Sequence, residues 1–172
     1  MSVGKLLRQG LPFANVVANG IATAQIMPGR TLEGIQLVLG GTFTYSNISL
    51  IRLKANGKTF YEGSGSQIDK INKFNNLSYP ATLLPILFTE ITGRDLVDEM
   101  LGAFDTSQGI ANITIEVTIS GATSPTLAMY LVESAPQSGQ IAPVMKKLLR
   151  YPFAVAAGGA LSIQLPFGPV NG

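Results

Sequence analysis

Between residues 112 and 119 the chain alternates without a break. Ile113, Ile115, Val117 and Ile119 fall on one side, and Asn112, Thr114, Glu116 and Thr118 on the other. A period of two is the mark of an extended strand with one buried and one wet face, because a helix would scatter these residues around its axis. Leu127, Met129 and Leu131 repeat the pattern over 126–133. Further strands are predicted over 21–27, 32–39, 48–55, 58–61 and 81–88, the last with Pro85 marking an edge or a bulge. Asn56-Gly57 is a two-residue hairpin signal, since both central positions of a type I′ turn need positive φ. Pro28-Gly29 and Gly40-Gly41 mark two more turns.

Two short helices interrupt the strands. Ser66 caps a segment over 67–76, with Asp69 three residues on, and Ile68, Ile71 and Phe74 then share a face. Thr92 and Asp95 repeat the device ahead of Leu96, Val97, Met100, Leu101 and Phe104. Seven or eight strands with two helices in loops give an all-β fold, a jelly-roll β-sandwich.

Composition narrows the chemistry. Only 13% of the 172 residues are charged, about half the usual share, so much of the surface is suited to meeting protein rather than water. There is no cysteine, histidine or tryptophan, which removes disulfides, thiol nucleophiles, the common zinc ligands and imidazole-based triads. Asn56-Gly-Lys-Thr59 resembles the end of a phosphate loop, but Arg52 stands where the first glycine belongs and a strand follows. Gly63-Ser-Gly65 lacks a third glycine, because position 68 is Ile68, and serves as linker or helix cap. Asp105-Thr-Ser107 has serine where an aspartic protease needs glycine, and its preceding residues are predicted helical. Ser2 and Lys5 have a Ser-x-x-Lys spacing at a frayed terminus. Glu90, Asp95, Asp98, Glu99 and Asp105 follow no calcium-loop spacing; the middle three form the wet side of a helix. The aromatics Phe43, Tyr45, Phe60, Tyr61, Phe74, Tyr79 and Phe88 are assigned to core packing rather than to stacking a sugar or base. No catalytic, cofactor-binding or metal-ligating residue is predicted, and the chain is not expected to be an enzyme.

Net charge is +2, too weak to argue for nucleic acid, but its distribution is uneven. Residues 1–60 set six cations against Glu33 alone, whereas residues 90–133 set seven acids against Arg94. Such blocks either meet across subunits or interleave within the fold. Lys5 and Arg8 precede an apolar run that imitates an export signal, but Pro12, Asn15, Asn19 and Gly20 interrupt it. No stretch reaches the roughly 18 apolar residues of a spanning helix.

The two ends echo one another. Lys5-Leu-Leu-Arg8, Leu11-Pro-Phe-Ala14 and Gly20-Ile-Ala-Thr-Ala-Gln-Ile-Met-Pro-Gly29 recur in order. The second set is Lys147-Leu-Leu-Arg150, Tyr151-Pro-Phe-Ala154 and Gly159-Ala-Leu-Ser-Ile-Gln-Leu-Pro-Phe-Gly168. Duplication explains shared order and content, and it divides the chain into an arm (1–20), a jelly roll (21–142), and a linker with the first strand of a second roll (143–172). A lone first strand cannot bury its apolar face by itself, so either residues 151–172 dock on another element or chain or, the reading favoured here, the polypeptide continues beyond residue 172.

With those features laid out, the chain resembles a viral capsid protein. The residues that carry the likeness are Leu32-Glu-Gly-Ile-Gln-Leu-Val-Leu-Gly-Gly, then Thr44-Tyr-Ser-Asn-Ile-Ser-Leu-Ile-Arg-Leu-Lys-Ala-Asn-Gly57 and the helix through Lys73. Over roughly residues 10–120 they are similar to the first roll of the double jelly-roll major coat proteins of icosahedral phages with an internal membrane, such as the corticoviruses. The resemblance implies a structural coat protein of the virion shell that self-assembles as trimeric, pseudo-hexameric capsomers and meets neighbouring capsomers and other capsid proteins. It implies contact of Lys5 and Arg8 with internal-membrane lipid, and no cofactor and no specific nucleic acid. The alternatives are a jelly-roll carbohydrate- or receptor-binding module and a single-roll minor capsid (penton) protein.

Overall fold

The computed structural model describes residues 4–90, 93, 100–136 and 145–151. Nine strands are present among them: β1 (Leu6–Gln9), β2 (Ile21–Ile26), β3 (Thr31–Gly40), β4 (Ile48–Ala55), β5 (Lys58–Gly63), β6 (Leu83–Leu87), β7 (Phe104–Asp105), β8 (Ile113–Ile119) and β9 (Thr126–Ser134). One helix, α1 (Gly65–Phe74), follows β5. The first sheet, sheet A, runs β1-β9-β3-β6 with β7 also on β3, and sheet B runs β2-β8-β4-β5. Every pairing between these strands is antiparallel.

The pairing is nested. β4 pairs β5, β3 pairs β6, β2 pairs β8 and β1 pairs β9, with successive pairs falling in alternate sheets. A long two-stranded ribbon wound into a sandwich has this order, and it is the jelly roll that the strand pattern predicted. Ile35, Leu37, Leu39, Met129, Leu131, Leu84 and Ile86 point inward from sheet A. They meet Ile51, Leu53, Phe60, Ile113, Ile115, Val117 and Ala24 from sheet B. Alternation therefore has a direct cause: each strand gives one face to this shared core.

The Asn56-Gly57 turn forms as predicted, with φ of 48° and 79°. β1 and β7 are additional to the expected strands: Leu6–Gln9, within the stretch read as an arm, pair with Tyr130–Glu133 of β9. Phe104–Asp105 are strand and not the helix end expected there. Residues 100–103 of the predicted second helix are also not helical, forming a turn with Gly102 bridged to Met145, and 92–99 lie outside the described residues apart from Gly93.

α1 starts two residues earlier than predicted. Ser64, not Ser66, is the cap: its hydroxyl accepts from the Gln67 N–H at 3.3 Å, and the Gln67 side chain accepts from the Ser64 N–H at 2.9 Å. Its buried face also differs, comprising Gly65, Ile68, Asp69 and Asn72, while Ile71 and Phe74 point outward. Gly65 explains the placement, since a Cβ there would collide with the Tyr45 carbonyl oxygen. Asn72 is drawn inward by β6, where its amide donates to the Pro85 carbonyl at 2.9 Å.

Candidate interaction surfaces

The outer faces of the two sheets differ in kind. On sheet B, cross-strand register sets Thr23, Glu116, Arg52 and Glu62 in one row. Arg52 pairs with Glu62 at 3.3 Å, and Lys54 with Glu116 beside it. On sheet A the corresponding rows are Leu7-Val132-Gly34-Leu87, Gln9-Tyr130-Gln36-Pro85 and Ala128-Val38-Leu83. None of these residues is charged, and Leu7 and Val38 are 59% and 38% exposed.

One end of sheet A holds a charge cluster. Glu33 and Glu133 are each only 2% exposed. Arg8 donates to both oxygens of Glu133, Nε at 3.0 Å and Nη2 at 2.7 Å, and Arg30 approaches the same carboxylate at 3.9 Å. Lys5 meets Glu33 at 3.2 Å. The hydrogen bond from Arg8 to Glu133 raises the guanidinium pKa above its already high ordinary value. These contacts decide between the two readings of the charge blocks. The basic first third and the acidic 90–133 stretch pair with each other inside one chain, through Arg8–Glu133, Arg30–Glu133 and Lys54–Glu116.

A third surface lies where the chain returns after β9. Leu148 bridges Tyr61 at the free edge of sheet B: its N–H donates to the Phe60 carbonyl at 3.1 Å, and its carbonyl accepts from the Glu62 N–H at 2.6 Å. Lys146 pairs with Glu90 at 2.8 Å. Lys146, Lys147 and Leu148 line a small cleft with Ile71 of α1 and Asn75, the residue that caps its C-terminus. The second Lys-Leu-Leu-Arg segment thus borders sheet B, as the first borders sheet A.

The residues weighed for chemistry are held by structural contacts. Lys58 opens β5 directly after the turn, with strand and no helix following. Asp105 accepts from the Ser107 N–H at 3.0 Å, and the Thr106 hydroxyl donates to the Arg30 carbonyl at 2.6 Å, so Asp-Thr-Ser is a turn clasp. Glu90 faces Lys146, and Asp95, Asp98 and Glu99 lie outside the described residues. Phe43, Phe60, Tyr61, Phe88 and Phe104 are core, with Phe60 packed at 5.0 Å from Phe104 and 6.1 Å from Phe88. Burial pushes the Tyr61 phenol well above its ordinary pKa. Tyr45 packs half-buried against this core, Tyr79 is half-buried outside it, and Phe74 is 87% exposed on α1. The uncharged outer face of sheet A was not anticipated, although the uncharged even positions 34–38 and 128–132 carry its signal in the sequence.

The family model described as viral coat protein P2 N-terminal domain matches residues 7–133. Among solved structures, the fold is similar to that of the major capsid protein P2 from bacteriophage PM2, with a TM-score of 0.69 and 20% identity over 81% of this chain and 52% of that one. A quasi-atomic model of the PBCV-1 virus capsid aligns with a TM-score of 0.49 and 12% identity, over 80% of this chain and 44% of the other. The chain spans about half the length of the PM2 protein it matches. No curated protein sequence matches it. The uncharged sheet face, the nested ribbon and the family match agree, and the chain belongs to the viral coat protein P2 N-terminal domain family, a jelly roll of the virion's capsid shell.

Proposed function

We propose that this chain is a structural shell protein, without catalytic activity, that self-assembles as trimeric, pseudo-hexameric capsomers and builds an icosahedral shell with neighbouring capsomers and other capsid proteins. The observation that carries this reading is the uncharged outer face of sheet A, set against the charge ladder on sheet B. Interface cores are depleted in charged residues, and an isolated roll would gain nothing from leaving three adjacent cross-strand rows of one sheet face without charge. The organisation proposed with it is a roll ending near residue 142, then a linker and the opening strand of a second roll; the Lys-Leu-Leu-Arg echo supports it.

Lipid contact through Lys5 and Arg8 is not carried forward. It would draw Arg8 off a buried carboxylate that it grips with two hydrogen bonds.

The test is the mass of the native assembly by light scattering, for the wild-type chain and for two variants. A trimer or a larger closed particle is expected, disrupted by Val38→Lys on sheet A and unaffected by Thr118→Lys on sheet B. A monomer at high concentration, or equal sensitivity to both changes, would overturn the reading.

A further inference from the structure

The outermost strands of the two sheets are β1 and β6 on sheet A and β2 and β5 on sheet B. Three of these four edges are covered. On β2, Thr23 exchanges two hydrogen bonds with Ala14, at 2.8 and 3.1 Å, and the Ile21 carbonyl accepts from the Asn15 amide at 3.1 Å. On β5, the outward groups of Phe60 and Glu62 are taken by Leu148. On β6, Pro85 has no N–H and its carbonyl accepts from Asn72, while the Leu83 N–H donates to the Pro80 carbonyl at 2.9 Å. Bare edges pair with other chains, so covering them stops a sandwich from growing strand by strand.

β1 lacks such cover. The Gly10 N–H donates to the Met129 carbonyl at 2.8 Å. Alternation along an antiparallel pair then turns the backbone groups of Leu6 and Arg8 toward β9, and those of Leu7 and Gln9 away from it. The outward N–H and carbonyl groups of Leu7 and Gln9 have no partner among the described residues. Both residues are exposed. The charges that commonly guard an edge are engaged elsewhere, with Lys5 on Glu33 and Arg8 on Glu133 of the same roll.

Donors and acceptors spaced along a bare strand fit another extended strand. β1 of a second copy is self-complementary to this edge. About a two-fold axis at Leu7, Leu7 lies opposite Leu7, and Leu6 lies opposite Arg8 on either side. The Arg8 charges are already neutralised on Glu133, so the two strands meet without free like charges facing one another. The Leu7 side chains would meet on the outer side of sheet A and make the two uncharged faces continuous.

We propose that β1 pairs antiparallel with β1 of a second copy and so extends sheet A across a two-fold axis. A two-fold contact cannot close a trimer, so its place is between capsomers. That placement rests on the shell reading; the pairing itself rests on the bare edge of β1.

The chain has no cysteine, so an introduced one reports a single contact. Residues that exchange hydrogen bonds across antiparallel strands have Cα atoms about 5.5 Å apart, within disulfide reach. Under mild oxidation Leu7→Cys is expected to run as a disulfide-linked dimer on a denaturing gel. Gln9→Cys lies about 13 Å from its own copy in this register and should stay monomeric there. Leu7→Pro removes the outward N–H but no bond to β9, whereas Leu7→Ala removes the same side chain and keeps the N–H. By light scattering, Leu7→Pro should halt at the trimer while Leu7→Ala still builds larger particles.

Failure of Leu7→Cys to cross-link, or equal cross-linking of Leu7→Cys and Gln9→Cys, would overturn the proposal. So would larger particles formed by Leu7→Pro as readily as by the wild type. Should Leu7→Pro unfold, seen as a urea midpoint far below that of Leu7→Ala, the two cysteine variants still decide. A monomeric wild type whose Leu7→Cys variant cross-links at high concentration would sink the shell reading and keep the pairing. A shell that forms without that cross-link would do the reverse.

Discussion

Asn56 sits at positive φ and uses both ends of its amide: the oxygen accepts from the Ala111 N–H at 2.8 Å and the nitrogen donates to the Gly109 carbonyl at 2.7 Å. The hairpin tip is thereby tied to the loop that leads into β8. Asn56→Ala is expected to cost about 2 kcal/mol, read as a lower urea midpoint with unchanged slope. The turn itself was legible because an Asn-Gly pair is a local signal; the tie to 109–112 was not, because its partners are more than 50 residues away. Ser64 shows the opposite difficulty. Ser64-x-x-Gln67 and Ser66-x-x-Asp69 are both capping sequences, and what separates them is the approach of Gly65 to the Tyr45 carbonyl. Tyr61 gives a prediction in pH. Its folded pKa is raised from 10.0 by burial, so its share of the stability is complete below pH 10. That share is lost as pH rises further, because the unfolded chain releases the proton first. Tyr61→Phe should flatten the alkaline limb of stability against pH, measured by urea unfolding.

At the scale of elements, strands with one wet face were readable and those held by distant charges were not. β8 and β9 alternate because one face of each lies in the core. β1 has no such pattern: Lys5-Leu-Leu-Arg8 puts a cation at each end of two leucines, and both cations answer to carboxylates on other strands. α1 was misread for a related reason. Apolar spacing selected Ile71 and Phe74, whereas the helix turns Asp69 and Asn72 inward because Pro85 of β6 offers a carbonyl there. The β1 pairing can be tested by substitution. Arg8→Ala leaves Glu133 buried with Arg30, at 3.9 Å, as its remaining ion-pair partner among the described residues, and should destabilise the chain by about 3 kcal/mol. Adding Glu133→Leu should restore most of that loss, since it removes the stranded charge. Hydrogen exchange at Leu6 to Gln9 should rise in the single variant and fall back in the double.

For the molecule as a whole, the sandwich was legible from strand number and alternation, and the use of its surface was only partly so. Low overall charge pointed to contact with other protein. Only the register shows that the absence of charge is concentrated on one sheet, because residues 7, 34, 38, 83, 128 and 132 come together from four strands. The nesting that makes this face also sets a schedule. The β4–β5 hairpin closes across two residues, whereas β1 must find β9 across a separation of about 125 residues. Loop closure becomes slower and more costly with length, so the ribbon zips from its middle outward and β1 docks last. On a ribosome, Leu6 and Leu7 emerge long before β9 and stay without their partner strand until residue 133 has left the exit tunnel. Within this roll β1 is therefore the last strand to become native, and nascent chains on crowded polysomes run their greatest risk of mispairing there.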